Sequence, residues 1–318
     1  MLVRFWGTRG SLPVAGKAGD VRAKLARALV AANGHPIASL DQAESFLDRE
    51  LDFASRATYG GATACVEIES GESFFVCDMG SGLREFGLSA MKRCGEGHQR
   101  TYNFFQSHLH WDHIMGFPFF VPAFDPTATI RIHSAHPDAE EALRRQQEEI
   151  SFPVPFDWLR ASIDFVAMTP GQPIQVDGLT VVAEKQAHSH DSYGYRFTDG
   201  DRTVVFSTDS EHKVDDMKDE AAFIEFFRDA DLVICDTMYS LADSVSMKED
   251  WGHSSNVVAV DLCHEARAKR LALFHHEPTY DDEDIQRMHV ESIRYEELTR
   301  DGSALEVLCA YDGLEIRL

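Results

Sequence analysis

His108-Leu109-His110-Trp111-Asp112-His113 places four potential metal ligands within six consecutive residues. The run before it, Thr101-Tyr102-Asn103-Phe104-Phe105, is aromatic and reads as a buried strand. Such a strand delivers the cluster to a loop. Side chains alternate along an extended chain, so His108 and His110 point to one side, while Asp112 and His113 follow the strand end and can turn toward a second position. One local segment therefore begins two neighbouring metal sites. The competing reading is an ordinary loop whose His and Asp side chains only hydrogen-bond. Against it, apolar residues flank the cluster on both sides (Phe104, Phe105, Ile114, Met115, Phe117). Burying four such groups without a cation leaves polar atoms to be satisfied in a dry setting, at about 1–3 kcal/mol for each failure.

The chain has 318 residues, 44% of them hydrophobic, which is enough for a large core. With no linker, low-complexity tract or repeat, we expect one domain over residues 1–318, carrying an α-helical insertion at about 14–58. No apolar stretch reaches the roughly 18 residues of a membrane helix, and Met1-Leu2-Val3-Arg4 lacks the apolar region of a signal peptide. A soluble, cytoplasmic protein is expected. The six cysteines (Cys65, Cys77, Cys94, Cys235, Cys263, Cys309) lack Cys-x-x-Cys spacing and read as reduced core residues.

Strand-like stretches fall at 2–6, 65–69, 73–77, 101–106, 129–133, 162–166, 179–183, 194–197, 203–207, 232–236, 270–274 and 305–309. Several end directly in a candidate ligand. Val21, Leu25 and Leu29 recur at four-residue spacing, which predicts a helix over about 20–33 with an apolar stripe. Ser39 with Gln42 three residues on is a capping-box pattern that starts a second helix, ending near Phe53. These helices build the insertion, either as peripheral packing or as a lid or dimer contact. Further helices are expected near 138–149, 214–228, 256–267 and 282–299.

The pattern His108-x-His110-x-Asp112-His113 resembles the signature of the metallo-β-lactamase superfamily. Later stretches match the remaining ligands of that family in order: His188 in Gln186-Ala187-His188-Ser189-His190, Asp209 in Phe206-Ser207-Thr208-Asp209-Ser210, and His275 in Leu273-Phe274-His275-His276-Glu277-Pro278. Four more segments look like its phosphodiesterase branch, which includes tRNase Z and the phosphoribosyl cyclic phosphodiesterases. They are Phe5-Trp6-Gly7-Thr8-Arg9-Gly10-Ser11, Tyr59-Gly60-Gly61-Ala62-Thr63, Asp78-Met79-Gly80-Ser81-Gly82 and Trp251-Gly252-His253-Ser254-Ser255. The resemblance implies an α/β fold of the four-layer αββα sandwich type, in which two sheets pack face to face, helices cover the outside and loops at one edge hold the metals.

It also implies a dinuclear site: one ion at His108, His110 and His188, a second at Asp112, His113 and His275, with Asp209 bridging. Imidazole and carboxylate without thiolate suit Zn²⁺, and Mn²⁺ or Fe²⁺ as availability allows. A solvent molecule between two such ions is acidified toward a pKa of about 7 and becomes the expected nucleophile of a phosphodiesterase-type hydrolase. His253 lies in a Gly-His-Ser-Ser motif that departs from the branch's Gly-His-Ser-Thr only at Ser255. It is the expected proton donor to the leaving oxygen, and such general acid help is worth roughly 10²- to 10⁴-fold. Its plain alternative is a helix N-cap neighbour, with Ser254 or Ser255 doing the capping. With His253, Asp112 and Asp236 complete the expected catalytic group, Asp236 by orienting the His253 ring. Asp78 is placed by the family pattern behind a ligand histidine, where a carboxylate fixes the ring tautomer. His190, His212 and His276 neighbour the expected ligands, and His275 is preferred to His276 because the strand ends at Phe274.

The formal charge of −23, from 30 basic and 53 acidic residues, bears on the substrate. A protein that grips a long polyanion spreads Lys and Arg over one face, and this chain has no such run. A structured nucleic acid is therefore a poor partner, and a small phosphate ester, cyclic or linear, is the better one. A lactone or thioester hydrolase is the rival enzyme, because the same ions polarise a carbonyl. A metal-binding sensor without turnover is the rival outside enzymology. Two aromatic segments, 117–124 and 152–158, read as core, as a stacking surface for a nucleobase, or as the face of a homodimer.

Overall fold

In the computed structural model, which describes residues 1–95, 98–189, 191–211, 217–240 and 253–318, the apolar strands assemble into two seven-stranded sheets. The first holds β1 (Leu2–Gly7), β2 (Cys65–Glu69), β3 (Phe74–Cys77), β4 (Thr101–Gln106), β5 (Thr129–Ser134) and β6 (Ser162–Ala167). The second holds β7 (Ile174–Val176), β8 (Leu179–Gln186), β9 (Ser192–Asp199), β10 (Arg202–Ser207), β11 (Leu232–Asp236), β12 (Arg270–Phe274) and β13 (Glu306–Cys309). The last strand, β14 (Glu315–Arg317), returns to pair with β1, giving the orders β14-β1-β2-β3-β4-β5-β6 and β13-β12-β11-β10-β9-β8-β7.

Alternation along each strand sorts the side chains into layers. Phe5, Phe75 and Phe105 of the first sheet meet Tyr195, Phe197, Phe206 and Phe274 of the second in one buried cluster. Their strand neighbours Phe74, Val76 and Phe104 face outward under the helix Leu83–Arg93, whose Leu83, Phe86 and Ala90 are buried. On the far side, Val233, Cys235, Leu271 and Leu273 pack beneath the helix Asn256–Glu265 through Ala259, Val260 and Cys263. Helix, sheet, sheet and helix thus stack as four layers, and each buried Phe contributes roughly 1.5–3 kcal/mol.

Strand direction explains where the site lies. The run β3-β4-β5-β6 is parallel, and so is β10-β11-β12-β13. Their C-terminal ends gather at one edge of the sandwich, where β11 ends in Asp236 and the loops carry Asp78, His108, Asp209 and His275.

The structure departs from the sequence expectations in four places. The helix Leu83–Arg93 was not expected: Gly87 in its interior weakens local propensity. A methyl at Gly87 would come within 2.9 Å of the Phe120 ring, so close packing wins over propensity there. The strands β7 and β14 are three residues each, at sheet edges, too short for a periodic signal. The helix Ala18–Ala31 forms, but it buries no residue: Val21, Leu25 and Leu29 are 58%, 61% and 75% exposed. It is tethered by polar contacts instead, Lys24 to Asp282 and Arg27 to Glu283. The aromatic segments divide, with Phe117, Phe120 and Phe156 in the core and Phe119 and Trp158 exposed. The expected helix over 214–228 is seen as Met217–Phe227, and residues 214–216 lie outside the described residues. Among the described residues, no helix is long and apolar enough to cross a membrane.

Candidate metal centre

After β4 ends at Gln106, the chain runs extended through His110 and then makes a single helical turn, Trp111–Ile114. That change of conformation aims His108 and His110 one way and Asp112 and His113 another. Three further groups arrive at strand ends through left-handed backbone: Asp78 after β3 has φ 60°, Asp209 after β10 has φ 45°, and His275 after β12 has φ 62°. Such conformations cost about 1–3 kcal/mol each for non-glycine residues and persist where surrounding structure imposes them. Here each one swings a polar side chain back into the edge.

Two groups of donors result. Ligand atoms of His108, His110, His188 and Asp209 lie within 4.8 Å of one another, and so do those of Asp112, His113 and His275. In the second group, His113 Nε2 is 3.1 Å and His275 Nε2 3.3 Å from Asp112 Oδ2. The two groups meet at Asp209. Its Oδ1 is 3.2 Å from His113 Nε2 and 3.1 Å from His275 Nε2, while its Oδ2 is 3.6 Å from His108 Nε2 and 3.7 Å from His188 Nε2. All seven expected ligands therefore share one locus.

The donor set fits divalent cations. His108 Nε2 is buried with no hydrogen-bond partner, although its own ring is fixed through Nδ1 by Ser107 Oγ at 3.0 Å. Burial, and next the neighbouring His113, hold the His108 imidazole well below its usual range, which favours the neutral ring that a cation requires. Burial alone would lower His113 as well, but Asp112, Asp209 and Asp78 outweigh it and hold that ring well above its usual range. A cation would displace this proton, as metal binding generally does. Asp209 resists protonation despite burial, because His275, His113 and His108 surround it.

Behind the ligands, Asp78 is fully buried and lies 2.7 Å from His113 Nδ1. It accepts from the Ser107 amide at 2.8 Å, from Ser107 Oγ at 2.7 Å and from Gln106 Nε2 at 3.2 Å. Ser107 thereby steadies both Asp78 and His108, a link that no motif in the sequence advertised. His253 stands over the edge, its ring 5.2 Å from that of His275 and 5.3 Å from that of His188. Its Nδ1 is 2.7 Å from Asp236 Oδ2, and Asp236 is itself held by the Met238 amide at 3.0 Å. Burial works against the His253 cation, but Asp236 prevails and raises its pKa to about 9.

His276 points elsewhere. Its Nε2 is 2.8 Å from the Ala310 carbonyl, and burial drives its pKa down to about 3. His190 and His212 lie outside the described residues, as do Trp251 and Gly252. Sequence reasoning also left Arg9, Gly10 and Ser11 without a role, although these residues touch the site. The Ser11 amide donates to Asp112 Oδ2 at 2.8 Å.

Residues 75–276 match the family model described as the beta-lactamase superfamily domain. Among curated proteins, the chain is 33% identical over 111 residues to a probable metallo-hydrolase, YhfI, of Bacillus subtilis. That match covers 35% of this chain and 41% of the relative, so it spans less than half the relative's length. It is 23% identical over 240 residues to ribonuclease Z of Archaeoglobus fulgidus, covering 57% of this chain and 76% of that protein. Among solved structures, Bacillus subtilis YhfI superposes with a TM-score of 0.64 at 20% identity, covering 99% of this chain and 98% of that one. A diphosphatase from the PhnP family gives 0.61 at 17% identity, with 100% and 97% covered. At these identities the structural likenesses speak for the fold.

Proposed function

Because the chain belongs to the beta-lactamase superfamily, we propose that it is a metal-dependent hydrolase of small phosphate diesters that works with two divalent ions. The observation that carries this reading is the pair of oxygens of Asp209, one 3.1–3.2 Å from the His113 and His275 nitrogens and the other 3.6–3.7 Å from those of His108 and His188. A carboxylate whose two oxygens face two histidine groups is suited to serve an ion in each. His108, His110 and His188 would hold one ion and Asp112, His113 and His275 the other, with Asp209 shared between them. Zinc suits these donors best by affinity order, with manganese or iron as alternatives. Bound there, the ions supply an activated water and neutralise charge on phosphoryl oxygens.

The protein's own share is positioning and proton transfer. Asp236 fixes Nδ1 of His253 and leaves Nε2 to carry the transferable proton, and the ring groups at the edge with Asp209 and His275. A protonated His253 delivers its Nε2 proton to the leaving alkoxide. Asp78 keeps the His113 ring in the tautomer whose Nε2 is a lone-pair donor. The net charge of −23 disfavours a long polyanion, whereas a small diester asks only for the local positive charge of the site.

Turnover of bis(p-nitrophenyl) phosphate by Zn²⁺- or Mn²⁺-loaded protein, set beside lactone and thioester panels, tests the substrate class. Diester hydrolysis should dominate, and a preference for lactones or thioesters overturns the reading. His253→Ala should lower diester kcat by about 10²- to 10⁴-fold with metal content unchanged. Undiminished turnover would remove His253 from the mechanism.

A further inference from the structure

We infer that the loop Thr8-Arg9-Gly10-Ser11 is a positioning element for the second metal group, and that Gly10 is the residue whose missing side chain lets His275 adopt its ligating pose. The inference rests on the two-ion reading above and assigns a task to residues that reading leaves idle.

The first observation is steric. A Cβ built at Gly10 would lie 2.5 Å from His275 Cε1, 2.6 Å from Nδ1 and 3.0 Å from Nε2. Real Cβ atoms do not approach a ring this closely, so either the loop or the imidazole must move. The His275 ring has little room to yield. It is fully buried, and the rings of His253 and His113 pack against it at 5.2 Å, inclined by 23° and 26°.

The second observation is that the loop has little room either. The Gly10 amide donates to the His276 carbonyl at 2.9 Å, and the His276 amide donates to the Thr8 carbonyl at 3.0 Å. Arg9 reinforces this join from within. Its buried guanidinium donates through Nε to the Gly60 carbonyl at 3.0 Å and through Nη1 to the carbonyls of Glu277 at 3.2 Å and Tyr280 at 2.9 Å. The cation thus staples the segment after His275 to the loop before Ser11.

The third observation shows what the loop delivers. The Ser11 amide, at φ 54°, donates at 2.8 Å to Asp112 Oδ2, the same oxygen that faces His113 Nε2 and His275 Nε2. One short segment therefore orients two of the three side chains of the second group, Asp112 by a hydrogen bond and His275 by contact. Gly10 and Arg9 are positioning residues, and their loss should loosen one ion selectively.

Equilibrium dialysis of the full chain against graded free Zn²⁺, with metal per chain read by elemental analysis, tests this. Co²⁺ ligand-field spectra report the geometry of each ion. Wild type should bind two ions. Gly10→Ala should keep one at wild-type affinity and bind the other about 10- to 100-fold more weakly, with the Co²⁺ bands of one site altered. Gly16→Ala, where an added methyl meets nothing within 4 Å, should match wild type. In a His275→Ala background, Gly10→Ala should add less than about twofold, since its effect passes through that ring. If Gly10→Ala does not fold, Arg9→Gln is scored by the same selective loss. Two ions bound by the variant as in wild type, equal weakening of both ions, or full additivity with His275→Ala each overturns the inference. Wild type that binds fewer than two ions defeats the two-ion reading itself.

Discussion

The candidate metal edge and the helical segment between β1 and β2 break the usual burial rule in opposite directions. At the edge, His108, His113, Asp209, His275, Asp78 and Asp236 are polar and buried. In the helical segment, Val21, Leu25, Leu29 and Leu40 are apolar and exposed. Buried polar groups persist only with partners, and here they partner one another in groups of donors that could hold a metal ion. The helices there are held by polar contacts and caps: Lys24 pairs with Asp282, Arg27 pairs with Glu283, and Ser39 caps the helix Leu40–Glu50 by accepting from the Gln42 amide at 3.3 Å. The difference teaches that polar residues can form a buried group where they partner one another, and that apolar residues at helical spacing need not form a buried face.

Metal removal should give the largest effect and separates the two regions most sharply. Each ion held at about 100 times its dissociation constant adds about 2.7 kcal/mol to the folded state. Chelation should therefore lower the melting temperature markedly and loosen the edge, while hydrogen exchange in the helix Ala18–Ala31 stays unchanged. Equal deprotection of both regions would erase the contrast.

Asp78→Asn should come next. It removes the carboxylate 2.7 Å from His113 Nδ1 while preserving shape, and should weaken metal binding or diester turnover by about 10- to 100-fold. Wild-type affinity in that variant would mean that Ser107 and packing suffice to hold the ring. The smallest effect belongs to the helical segment between β1 and β2: Leu25→Ser should change unfolding free energy by no more than about 0.5 kcal/mol, because its side chain already faces solvent. A loss above about 2 kcal/mol in denaturant unfolding would show that the stripe is covered in solution.

Much of this architecture is local and was legible before folding. The alternation in Thr101–Gln106, the apolar run Arg270–Phe274 and the capped start of Asp282–Thr299 each announce their element, because side-chain period and cap chemistry act over a few residues. The four donors at 108–113 were equally visible. Elements held by distant partners were not: Glu315–Arg317 is a strand only because Leu2, Val3 and Arg4 pair with it. The stripe at Val21, Leu25 and Leu29 had the right period for burial, yet period says which residues share a face and not what that face meets.

Local pattern, then, determined the strands, most helices and the chemical types of the candidate ligands. Tertiary structure alone decided their mutual aim. His275 and His276 are adjacent and chemically identical, but a left-handed turn at His275 sends one ring to the edge and the other to the Ala310 carbonyl. Gly10, unremarkable as a letter in the chain, becomes the floor beneath that ring. Distances between residues far apart in the chain follow from sheet pairing and packing, which no short window of sequence encodes.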